Sequence, residues 1–185
     1  MNLNEYSLQI VKELEKTLDG VDAGIGEEFS DRIIKAKRIF VAGAGRSQLM
    51  LRGLAMRLMH LGLTSYVMGE TVTPAIEKGD LLIIGSGSGE TASLVKAAEK
   101  AKNLGVDLAL ITIFPNSSIG RMADIVLRVK APTSKADSEF TSMQPGGSCF
   151  EQSMLLICDA FVLRIAEKLQ LDANDNLKLR HANLE

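Results

Sequence analysis

The sequence predicts an α/β fold, a three-layer αβα sandwich around a five-stranded parallel sheet. Three observations carry this reading. Five short apolar runs rich in Ile, Leu and Val recur along the chain, each followed by a helix-like or turn-like stretch. Hydrophobic residues make up 46% of the 185 positions but aromatics only 4%, with no Trp. Aliphatic side chains must therefore fill the core, as they do where parallel strands are buried on both faces. Glycines end several of the runs, where the chain has to turn.

Taken in order, Leu3, Ile10, Leu14, Leu18 and Val21 recur at helical spacing among Glu and Lys and predict an amphipathic helix ending near Gly20. A second helix carries Ile25, Phe29 and Ile33 on one stripe. The first strand is expected over Arg38–Gly43, and its pattern returns at Ser65–Met68, Leu81–Gly85, Leu108–Ile113 and Ile125–Val129. Between strands, residues 46–61 place Leu51, Leu54, Ala55 and Leu58 on one helical face, and residues 91–104 form an Ala-, Lys- and Leu-rich stretch that ends before Gly105. Such alternation implies right-handed crossovers. Residues 130–148 are polar, with Pro132, Pro145, Gly146 and Gly147, and predict a loop. A long apolar helix is expected from about Phe150 to Leu169, then a polar, partly helical tail from Asp172 to Glu185. Neither repeat nor linker interrupts the chain, so residues 1–185 read as a single domain.

Composition narrows the function. A net charge of -2 with 24% charged residues gives a mixed surface, without the basic footprint of nucleic-acid binding or of a polybasic membrane contact. The chain holds no run of about twenty apolar residues, and Met1–Glu5 does not begin a signal peptide, so a cytoplasmic protein is expected. Cys149 and Cys158 have no His or third Cys at ligand spacing. Free buried thiols in a reducing compartment are expected, not a disulfide or a metal site.

Ligands of open α/β sheets bind outside the carboxyl ends of the strands. After the third strand comes Ser86-Gly87-Ser88-Gly89-Glu90-Thr91, leading straight into a helix. Glycines let the backbone amides approach a ligand, three hydroxyls add donors, and the helix start adds unpaired N–H groups and a positive partial charge. This makes a phosphate cradle that needs no lysine; a plain helix-capping turn is the alternative. After the first strand, Gly43-Ala44-Gly45-Arg46-Ser47 approaches a dinucleotide fingerprint, but Gln48 stands where its last glycine belongs. An acid such as Glu70 at a strand end is too common to restore that reading. Ser47 is expected to face the same cleft with Arg46 beside it, although a surface or interface salt bridge would also explain Arg46. No Gly-Lys-Ser/Thr follows the glycines, which argues against a nucleoside triphosphatase.

These residues resemble the SIS (sugar isomerase) family, with its flavodoxin-like sheet. Further matching stretches are Ala55–His60, Gln144–Ser148, Phe150-Glu151-Gln152 and the closing His181-Ala-Asn-Leu-Glu185. Together they resemble the 6-phospho-3-hexuloisomerases within that family, over essentially the whole chain. The resemblance implies interconversion of 3-hexulose 6-phosphate and fructose 6-phosphate, in the ribulose monophosphate route of formaldehyde fixation. It implies no cofactor, a homo-tetramer, and a small sugar phosphate as the ligand. It assigns Ser47, Ser86, Ser88 and Thr91 to substrate and phosphate contacts, with Gly87, Gly89, Glu90 and Arg46 completing the cradle. Glu151 aligns with the proton-transferring base, and His181 resembles a C-terminal histidine that reaches a neighbouring subunit's site in related isomerases.

The chemistry suits these groups. Turning a 3-ketose into a 2-ketose removes a proton from carbon 2 and returns one to carbon 3 through an enediol, which one carboxylate can do. His60 is expected to be packed or at an interface, with no role in the chemistry. Other readings are an arabinose or heptose phosphate isomerase of the same fold, or a non-catalytic sugar-phosphate sensor.

Overall fold

The computed structural model describes residues 1–133 and 140–184. Part of the loop expected over 130–148, and the final Glu185, lie outside the described residues. The chain begins with two helices, α1 (Leu3–Asp19) and α2 (Ala23–Lys35). Strand β1 (Ile39–Gly43) leads to α3 (Arg46–His60), and β2 (Ser65–Val67) and β3 (Leu81–Gly85) lead to α4 (Ala92–Asn103). Then come β4 (Asp107–Thr112), the short α5 (Ser118–Met122), β5 (Ile125–Arg128), the long α6 (Ser148–Lys168) and α7 (Ala173–Arg180).

The five strands pair in the order β2-β1-β3-β4-β5, all parallel. Side chains alternate between the two faces of the sheet, as strand geometry requires. Ile39, Val41, Leu81, Ile83, Ala109 and Ile111 join a core with α2, α3 and α6. Phe40, Ala42, Leu82, Ile84, Leu108 and Leu110 meet Leu94 and Ala98 of α4 and Ile119 of α5 on the other face. This is the expected three-layer αβα sandwich. Neighbouring β1 and β3 are separated in sequence by β2, so the winding reverses between them. In folds of this order the ligand crevice opens at that point.

The β2–β3 connection is a series of turns without a helix, one of the turn-like stretches expected between strands. Two details differ from the sequence reading. Leu3, first of the predicted apolar stripe, is exposed; the face that α1 buries runs instead through Glu13 and Thr17, with Leu14 and Leu18 against the core. Finally, α6 starts at Ser148, two residues before the expected Phe150. Its first turn is fixed by Pro145, whose carbonyl accepts from both the Ser148 amide (3.3 Å) and hydroxyl (2.7 Å). Glu151 therefore lies in the first turn of that helix. Both cysteines are free and buried, and among the described residues no helix is long and apolar enough to cross a membrane.

Candidate active site

The helix starts divide into two groups. Helices α1, α2, α5 and α7 each begin with a side-chain cap, from Asn2, Asp22, Ser117 and Asp172. Helices α3, α4 and α6 begin at Gly45, Thr91 and Gly147 with no side-chain cap bond. An uncapped start leaves backbone donors unpaired at the positive end of the helix dipole, ready for an anion. The uncapped starts of α3 and α4 follow β1 and β3, the two strands beside the crevice. Arg46, the first residue of α3, ties the α6 start to them: its Nη1 donates to Ser148 Oγ at 3.1 Å and its Nε stands 3.1 Å from Glu151 Oε2.

The Ser86–Thr91 turn is shaped by its own hydrogen bonds. Gly89 N–H donates to Ser86 Oγ (3.1 Å), and Glu90 N–H to Ser88 Oγ (3.2 Å). Gly89 has φ +61°, and a Cβ there would stand 1.9 Å from Ser117 Oγ, so no other residue fits. The Glu90 carboxylate points to α5, where the Ser118 hydroxyl first and the Ser118 N–H (2.7 Å) second hold its pKa below the usual carboxylate range. Glu90 thus supports the turn from outside. By contrast, the amides of Gly87, Ser88, Thr91, Ala92 and Ser93 donate to no acceptor among the described residues, and the Thr91 hydroxyl makes no cap bond. These are the donors a phosphate cradle offers. The plain capping alternative for Thr91 is therefore not what the structure shows.

Opposite this turn, the chain after β1 passes directly over its own strand. A Cβ on Gly43 would lie 2.8 Å from the Gln48 amide nitrogen. Gln48 then turns its carboxamide oxygen onto the Gly43 amide. It fills the space that a dinucleotide fingerprint leaves open with its last glycine. Ser47 is buried, and its hydroxyl makes no hydrogen bond among the described residues. Glu151 is 17% exposed against 50% for Arg46, so the base candidate is shielded and its partner is accessible. A Cβ on Gly87 would meet the Phe150 ring at 3.3 Å, which sets the cradle against the first turn of α6. Among the described residues, no three of His, Cys, Asp and Glu stand together as metal ligands.

Residues 32–157, from the end of α2 into α6, match the SIS domain family. The chain belongs to this family. It is 44% identical to a Bacillus subtilis protein named 3-hexulose-6-phosphate isomerase, over all of both chains. It is 42% identical to a Mycobacterium gastri protein of the same name, covering 97% of this chain and 90% of the relative. A solved structure from Methanococcus jannaschii, described as inferring a 3-hexulose-6-phosphate isomerase function, superposes with a TM-score of 0.85 at 37% identity, covering 98% of this chain and 99% of that one.

Within this SIS domain, Arg46 meets Glu151 and Ser148, the Gly87 end of the Ser86–Thr91 turn lies against Phe150 beside Glu151, and Ser47 follows Arg46 on α3. His181 is not among them. His181 ends α7 and stacks on His60 at 5.6 Å between ring centroids. His60 is the last residue of α3 and Arg46 the first, so His181 lies roughly 20 Å from the cleft at 1.5 Å of rise per residue. His60 is packed as expected; burial, with Arg57 and His181 adding to it, lowers its pKa. Ser148, within the Gln144–Ser148 stretch, joins Arg46 to the loop before α6. The uncapped starts of α3 and α6 do show in the sequence: Gly45 and Gly147 stand where Ser, Thr, Asp or Asn would normally cap a helix.

Proposed function

We propose that this chain is a 3-hexulose-6-phosphate isomerase in which Glu151 carries the proton. The observation that carries the proposal is the shielded Glu151 carboxylate in the first turn of α6, beside a turn of unpaired amides and held by Arg46 at 3.1 Å. Full-length relatives of that name, at 44% and 42% identity, supply the substrate.

The 6-phosphate sits at the start of α4, bound by the amides of Ser88, Thr91, Ala92 and Ser93 and the hydroxyls of Ser47, Ser86, Ser88 and Thr91, with Gly87 and Gly89 giving the backbone room. Anchoring one end of a flexible sugar brings carbons 2 and 3 to the base, and orientation of this kind can remove several kcal/mol of barrier. Glu151 takes the proton from carbon 2, and the C–H electrons form the C2=C3 bond as the carbon 3 carbonyl oxygen gains a proton. The carbon 2 hydroxyl then loses its proton, its carbonyl forms, and Glu151 returns a proton to carbon 3. Carbon 2 is oxidised and carbon 3 reduced, so the step needs no external redox partner and no cofactor. Arg46, half exposed, holds the carboxylate and faces the developing enediolate charge.

The same reading makes residues 1–185 one SIS domain, acting in the cytoplasm in formaldehyde assimilation, and assembling as a homo-tetramer. Two free thiols support the compartment. Exposed apolar residues support assembly: Leu3, Tyr6, Leu8 and Val11 on α1, and Leu156 and Leu163 on α6. A second copy would also give His181 a cleft to serve, where it would assist ring opening or protonate the enediol oxygen.

The test is an assay supplying 3-hexulose 6-phosphate and following fructose 6-phosphate in the presence of a chelator. Turnover unchanged by chelator is expected. Turnover only of an arabinose or heptose phosphate, or none of any sugar phosphate, would contradict the proposal.

A further inference from the structure

Glu13 lies in the middle of α1, a helix that contributes no residue to the cradle, yet it is 4% exposed. A carboxylate is costly to bury unless its oxygens are matched by donors. Among the described residues, every hydrogen bond to this carboxylate comes from one stretch of chain that is remote in sequence. Oε2 accepts from Ser142 Oγ at 2.6 Å and Gln144 Nε2 at 3.1 Å, and Oε1 accepts from Met143 N–H at 3.0 Å. One turn further along α1, Thr17 meets Cys149 Sγ at 3.3 Å. A single face of α1 thus grips both ends of the segment from Ser142 to Cys149.

What lies between these grips is the entry to α6. Pro145, Gly146 and Gly147 lead to Ser148, and Gly146 has φ +57°. Two adjacent glycines do not hold a conformation by themselves. The segment nevertheless sets the base, because Glu151 N–H donates to the Gly147 carbonyl at 3.0 Å and Arg46 bridges Ser148 and Glu151 from the other side. Arg46 is half exposed and would be drawn towards an anionic substrate. The α1 grip is the buried, substrate-independent member of the pair.

We propose that Glu13 is a positioning residue for the isomerisation: by clasping residues 142–144 it fixes the glycine entry of α6, and so fixes where the Glu151 carboxylate stands relative to carbons 2 and 3. This rests on Glu151 being the base. Glu13 touches neither substrate nor reacting atoms, and its influence falls on the chemical step and not on phosphate binding, because the cradle is built from a different loop.

Glu13→Gln keeps the shape but turns one acceptor into a donor facing other donors. In steady-state kinetics, well below each variant's unfolding temperature, kcat is expected to fall about ten- to hundredfold with KM within about twofold, the range that small misplacements produce. Gln144→Ala, which opens the clasp from the other side, is expected to lower kcat by about threefold, and the double variant to be no slower than Glu13→Gln alone. A kcat like that of the unaltered protein in Glu13→Gln, a change in KM alone, or multiplicative losses in the double variant would overturn the proposal. If Glu13→Gln fails to fold, Gln144→Ala and Ser142→Ala carry the test, and unaltered kcat in both overturns it. Glu151→Gln in the same assay separates the two ideas. Normal turnover there sinks the reading of Glu151; an inactive Glu151→Gln beside a fully active Glu13→Gln sinks only the role of Glu13.

Discussion

Glu27 and Glu151 are both carboxylates beside an arginine, and their surroundings separate their tasks. Glu27 is exposed on α2 and receives Arg164 at 2.7 and 2.9 Å and Lys168 at 3.0 Å from α6. Arg164 first and Lys168 second pull its pKa from 4.5 down to about 2. A carboxyl with a depressed folded pKa stabilises the fold above its ordinary pKa, and that contribution disappears as pH falls through the folded value. The urea midpoint is therefore expected to fall between about pH 4.5 and pH 2, more steeply than in Glu27→Gln, and the difference should shrink in high salt because the pair is exposed. Identical pH profiles for the two proteins would contradict this account. Glu151, by contrast, is shielded, has one basic partner among the described residues, and stands at the crevice. It is the resemblance to the 6-phospho-3-hexuloisomerases that singles it out; by position alone it reads as an ordinary acid in the first turn of a helix. Glu13 was not legible as a site residue: its partners are 129 to 131 positions away, and along α1 it reads as one more polar residue on an amphipathic helix.

Among the elements, the uncapped helices carry the functional information. Thr91 has φ -65° and ψ 116°, backbone that suits an N-cap, but its side chain does not cap α4. Thr91→Asp would supply that cap and is expected to stabilise the fold by about 0.5–1 kcal/mol. It would also place a negative charge in the phosphate cradle, so KM for the sugar phosphate should rise at least tenfold. Higher stability with weaker binding in the same variant, read from denaturant unfolding and kinetics, is the signature of donors kept unpaired for a ligand. An unchanged KM would show that the phosphate lies elsewhere. The strands were legible to within about a residue because their apolar runs are local, whereas the start of α6, expected at about Phe150, lies at Ser148. The Pro145 carbonyl and the Ser148 hydroxyl nucleate that turn, and neither registers in a hydrophobic pattern.

Across the whole molecule, the sheet order decides where the chemistry can be. Periodicity shows five strands but not that β1 and β3 are neighbours; lateral order comes from crossovers, and only the resemblance to a flavodoxin-like sheet implied it. That adjacency puts the loops after β1 and β3 side by side, and the return of α6 across the same end adds the carboxylate. His181 is carried to the opposite end of α3, so within one chain it does not reach the cleft. The most direct measurement is the turnover of 3-hexulose 6-phosphate by Glu151→Gln alongside the dissociation constant of fructose 6-phosphate. The account predicts binding within about threefold of the unaltered protein and a kcat lower by at least about a thousandfold, since removing a catalytic base eliminates proton transfer while the phosphate anchor stays. A Gln variant that turns over at an undiminished rate would contradict it.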